Sequence, residues 1–146
     1  MNAQNHSASG GEYRFLPQDF QVGDPDVDFQ HEMLFFLMDG ILNYIRSEGE
    51  AGSIDMVFGI FEDYIRDHFK CEEDRMERAH YPELEVHRGE HQAFQNRVLE
   101  LERAYAGAED EQRKVAVAVQ VLEFLKGWLS GHIAVMDRKM IGFLNQ

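Results

Sequence analysis

The chain has 146 residues, enough for one domain with a single core, and carries 27 acidic against 14 basic residues for a formal net charge of -13. That charge argues against nucleic acid or an anionic membrane surface as a partner, and no apolar run is long enough to predict a membrane-inserted helix. A single cysteine, Cys71, rules out an internal disulfide and suits a reducing compartment. The opening MNAQNHSASGGEYR lacks the apolar stretch of a secretory signal, so a cytoplasmic location is expected.

Along the chain, the first eleven or so residues are rich in Asn, Ser, Gly and Gln and are expected to be disordered, His6 with them. Residues 1–19 are assigned to an N-terminal tail and 20–146 to one helical domain. The first predicted helix runs from about Asp26 to Ser47, with Leu34, Phe35, Met38, Ile41, Leu42 and Ile45 at the spacing of one face. His31 continues that stripe. The second starts after Gly52 with Ser53 as N-cap and reaches about Arg78. Its stripe of Ile54, Val57, Phe58, Phe61 and Ile65 leads to His68 and Glu72. The third opens at Pro82, a residue suited to a first helical turn, and ends near Gly107. Leu84, His87, His91, Phe94, Val98, Leu101 and Tyr105 follow one another along it at steps of 3 and 4. The fourth begins around Glu109, and Val115, Val121, Leu122, Leu125, Trp128 and Leu129 lead to His132. Short connections make consecutive helices antiparallel neighbours, so the predicted fold is all-α, an up-down-up-down four-helix bundle.

Every stripe is interrupted by ionisable residues on the face that should be buried. Five of the 7 histidines point into one small bundle. A buried charge without compensation costs several kcal/mol, whereas a bound cation uses neutral imidazoles as ligands. On an ideal helix, position i+4 lies about 40° from i. His68 therefore shares a face with Glu72, and His87 with His91. Glu73 is turned about 140° away from His68 and is expected to face solvent. Asp137 stands five residues after His132 and reaches the same site only if the helix widens there, as π-type turns allow. Five imidazoles and two carboxylates exceed what one tetrahedral zinc takes. They suit two six-coordinate metals bridged by the carboxylates, and a set without thiolate is compatible with iron.

The letters His87-Arg88-Gly89-Glu90-His91 also fit the inverted zinc-protease motif H-x-x-E-H. That reading strands His31, His68 and His132 in the core and offers no substrate cleft. A ferritin-like store would need E-x-x-H motifs on two helices. The one match, Glu77 to His80, lies at the end of a helix, where His80 is expected in a loop. Cys71 and the methionines Met33, Met38, Met76, Met136 and Met140 are expected to be packing residues.

The order His31, His68-x-x-x-Glu72, His87-x-x-x-His91, His132-x-x-x-x-Asp137 resembles the hemerythrin signature, in particular that of single-domain bacteriohemerythrins. The surrounding VDFQHEMLF, HFKCEEDRM, YPELEVHRGEHQAF and WLSGHIAVMD agree with it. The resemblance covers the chain from about Phe20 onward. It implies one iron held by His87, His91 and His132, and another by His31 and His68 with an open position. Glu72 and Asp137 would bridge the two iron ions, with an oxo or hydroxo link beside them. It further implies dioxygen as the ligand, carried or stored by a protein that is not an enzyme, with Leu34, Phe69, Trp128, Leu129 and Ile133 lining the pocket. A diiron oxidase, a peroxide or nitric-oxide scavenger, or an oxygen sensor on the same site is the alternative.

Overall fold

The computed structural model describes residues 13–146, so the expectations for the first eleven residues and His6 lie outside the described part. Four helical rods make the bundle. Helix α1 is Pro25–Arg46. Rod α2 runs without a break through an α-helix Asp55–Asp63, a π-helix Tyr64–Phe69 and an α-helix Lys70–Arg78. Helix α3 is Leu84–Ala106. Rod α4 combines an α-helix Glu111–Trp128, a π-helix Leu129–Asp137 and an α-helix Arg138–Leu144. A 3-10 turn, Gln18–Phe20, precedes them. Among the described residues no helix is long and apolar enough to cross a membrane.

Local chemistry sets the ends of these rods. Asp24 caps α1 by accepting the Val27 N–H at 3.1 Å, with Pro25 as the first helical residue. Asp110 caps α4 by accepting from Arg113 at 2.8 Å. Ser53 accepts the Asp55 N–H at 3.0 Å, one place ahead of the N-cap Ile54. Pro82 lies in the turn before α3, whose N-cap is Glu83. Gly49, at φ +89, lies in the turn after α1, where a Cβ would collide with the Glu111 side chain.

The stripe on α1 is rotated slightly from the predicted one. Leu37 and Tyr44 are buried, while Met38, Leu42 and Ile45 flank the core. The stretch before Phe20 lies on the bundle. The backbone N–H groups of Phe15 and Leu16 donate to Glu32, Leu16 at 2.7 Å, and Leu16 is part of the core. Two apolar clusters divide the interior. A large one holds Phe61, Phe94, Leu101 and Leu125, and a small one at the other end holds Val27, Met76, Tyr81, Met140 and Ile141. Between them lies a polar layer.

Candidate metal centre

That layer gathers all seven candidate ligands, the six at helical spacing and Asp137. His31, His68, Glu72, His87, His91, His132 and Asp137 are each 3% exposed or less. Antiparallel rods bring them level: α1 contributes His31, α2 His68 and Glu72, α3 His87 and His91, and α4 His132 and Asp137. The condition attached to Asp137 is met, because the π-helix Leu129–Asp137 widens the rod between His132 and Asp137. Their ligand atoms fall into two groups, in each of which all lie within 4.8 Å of one another. One comprises Glu72, His87, His91, His132 and Asp137; the other His31, His68, Glu72 and Asp137.

Glu72 and Asp137 belong to both groups, and each divides its two oxygens between them. Glu72 turns Oε1 to His68, and Oε2 to His87 at 3.2 Å and His91 at 3.3 Å. Asp137 turns Oδ2 to His31 at 3.1 Å, and Oδ1 to His87 and His132 at 3.0 Å each. Metal–nitrogen and metal–oxygen bonds are about 2.1 Å, so neighbouring ligands of an octahedral ion stand about 3 Å apart. Donor atoms 3.0–3.3 Å apart are compatible with such edges.

The electrostatics make the same case. Burial disfavours the ionised Glu72, yet His68, His87 and His91 outweigh it and hold the carboxyl well below its usual range. Burial and the Glu72 charge push Asp137 up, but His132, His31 and His87 together hold it low. Burial also opposes a charged His87. Asp137 and Glu72 overcome it and push the imidazole up to about 9, while His132, where burial dominates, is lowered. Tyr64 and Trp128 apart, every buried side-chain polar atom without a hydrogen-bond partner among the described residues belongs to one of these seven. Such a cluster is costly on its own. Cations between the two carboxylates satisfy it, so the residues fit a dinuclear metal centre.

The pocket candidates lie against this layer. Phe69 stacks on His91 with ring centroids 3.8 Å apart, and Trp128 on His132 at 3.8 Å. Leu34, Leu129 and Ile133 are buried in the adjoining apolar cluster.

Three outer residues differ from their sequence reading. Glu73 is half-buried rather than solvated, with Oε2 3.4 Å from His91 Nδ1 and Oε1 3.3 Å from Arg88. Arg88, unassigned by the motif, ties α3 to α2 through Glu73 and Glu77. Cys71 is exposed, not a packing residue. Glu90 and His80 face solvent, which leaves the protease and ferritin motifs without a site. Tyr64 was missed, although it sits three residues after Phe61 and four before His68; the apolar Ile65 had taken its place in the stripe.

A helical bundle whose two buried ligand groups share two carboxylates is a metal-binding bundle of the dinuclear kind. Residues 22–144 match the Hemerythrin HHE cation binding domain, and the chain belongs to the hemerythrin family. It is similar to a bacteriohemerythrin of Stenotrophomonas maltophilia, 27% identical with 82% of this chain and 74% of that protein covered. A bacteriohemerythrin of Methylococcus capsulatus is 26% identical, with 76% and 80% covered. Hemerythrin subunit alpha of Lingula anatina is 27% identical, with 87% and 92% covered.

Proposed function

We propose that the protein binds dioxygen reversibly at a carboxylate-bridged pair of iron ions and serves to carry, deliver or store it. The asymmetry of the two ligand groups carries this reading. Both contain Glu72 and Asp137, but one has three imidazoles and the other two. For ions that take six ligands, five residue donors would leave the first group one short and four would leave the second two short, so the second would have room for a small ligand. His87, His91 and His132 would hold one iron and His31 and His68 the other, with Glu72 and Asp137 spanning both. When bound, the iron pair supplies the electrons that reversible dioxygen binding borrows and returns.

The chain's own part is selection and protection. Leu34, Phe69, Trp128, Leu129 and Ile133 give the layer an apolar cover that keeps out bulk water. A dry pocket that offers no general acid lacks the proton donor that would release a reduced ligand. The test is iron content per chain together with the visible spectrum, first without oxygen, then aerated, then under vacuum. Two irons and a visible band that appears with one dioxygen per pair and vanishes under vacuum are expected. One zinc with a featureless spectrum overturns the assignment. Sustained oxygen consumption in the presence of an electron donor would make the protein an enzyme instead.

A further inference from the structure

The layer next to the metal centre carries two polar atoms that the ligand sets do not use. The rods alternate in direction, so the residues one turn from the histidines, on the side away from Glu72 and Asp137, fall at one level. They are Leu34 after His31, Tyr64 before His68, Phe94 after His91 and Trp128 before His132. All four are buried. The Tyr64 ring lies over that of His68, centroids 4.6 Å apart and 16° from parallel. Tyr64 and Trp128 meet the same two rings, with Phe69 at 5.0 Å and 5.7 Å and Phe94 at 5.7 Å and 4.5 Å. Trp128 Nε1 lies near Tyr64 Oη without completing a hydrogen bond, and the Tyr64 hydroxyl proton has no acceptor among the described residues. Donors buried in that way are rare in native proteins and call for a reason.

The two donors stand over different halves of the centre. Trp128 covers His132, in the group with three imidazoles. Tyr64 covers His68, in the group with two. A recess of about 200 Å³ between α1 and α2 has Tyr64 and His68 in its wall, which puts the tyrosine at the edge of this half of the centre. We propose that the Tyr64 hydroxyl donates a hydrogen bond to the small ligand that takes the open position beside His68, and so sets how firmly ligands with an acceptor atom are held there. The inference rests on the two-metal reading above. It adds a polar contact to a pocket otherwise lined by apolar groups.

The probe is azide, added to the oxidised two-iron protein. In the unmodified protein the infrared stretch of bound azide is expected to shift between H2O and D2O, because the hydroxyl proton exchanges. Tyr64→Phe keeps the ring and its stacking on His68. It is expected to leave two irons per chain and an unchanged melting temperature, to weaken azide about tenfold, or ~1.4 kcal/mol, and to abolish the isotope shift. Equal azide affinity in the variant overturns the proposal. So does the absence of an isotope shift in the unmodified protein, a result that needs no variant to fold. Two irons with native-like azide binding in both proteins removes the role of Tyr64 alone; failure of the unmodified protein to take up two irons removes the metal reading with it.

Discussion

Glu72 shows what a single residue does in this layer. It is 1% exposed, ionised, and shared between both ligand groups, so nothing local can replace it. Glu72→Ala removes a carboxylate that both ligand groups share and leaves His68, His87 and His91 without their common partner. His87→Ala leaves Glu72 and Asp137 buried with one counter-group fewer. Removing one member of a buried charged set costs about 3–5 kcal/mol, and metal binding at a site of this kind couples to folding. Both variants are expected to lose bound metal and to melt at markedly lower temperature, as metal analysis and thermal unfolding would show. A variant with two metals per chain and an unchanged melting point would remove that residue from the ligand set. All seven residues of the layer were legible in the chain because helical spacing and ligand chemistry point to the same letters. The partners around them were less so. The angle that turned Glu73 away from His68 is correct along α2. What it omits is α3, whose Arg88 and His91 meet the Glu73 side chain, and contacts between helices are not written in the periodicity of either one.

The two π-helices mark where single helices bend their register to serve the site. Asp137 required one, since a five-residue step from His132 misses the face of a regular helix; the chain announced it through that spacing. The π-helix Tyr64–Phe69 left no such trace, because His68 and Glu72 are already four apart and the widened turn lies mostly ahead of them. Segment ends were readable to within a few residues from Gly52, Ser53, Pro82, Gly107 and Glu109; the caps Asp24 and Asp110 came only with the structure. The Ser53 and Pro82 positions shifted by a place or two because each satisfies its turn equally well from outside the helix. If the wide turn in α4 serves only to bring Asp137 round, then deleting the exposed Val135 puts His132 and Asp137 four apart on a regular helix, about 40° from each other. The deletion variant is expected to keep two metals per chain, checked by metal analysis, and to show helix content no lower than the parent by circular dichroism. Loss of both metals would mean that the π geometry itself shapes the bridge.

Across the whole molecule, the polar layer is a core element enclosed by apolar clusters at both ends, so protons and metal ions compete for the same interior. In the metal-free protein, His87 sits at about 9 against its ordinary 6.5. A raised folded-state value means its contribution is complete below pH 6.5 and is lost as the pH rises through 9. His132 is lowered, so its neutral form favours folding above 6.5 and its contribution declines only on the acid side. Glu72, held below 4.5, adds stability that is present above that value and lost as the pH falls. Between pH 6.5 and 9, therefore, His87 alone of these three sets the slope, and it is downward. Metal reverses the situation, because a ligated imidazole carries no extra proton to lose. Chelator-stripped protein is expected to melt at progressively lower temperature from pH 6.5 to 9, and metal-loaded protein to hold its melting temperature over the same range. Thermal unfolding of both forms at three or four pH values decides it. A flat or rising profile for the stripped form would mean that the proton between Glu72 and Asp137 does not reside on His87, and parallel declines in both forms would place the titrating group outside the layer.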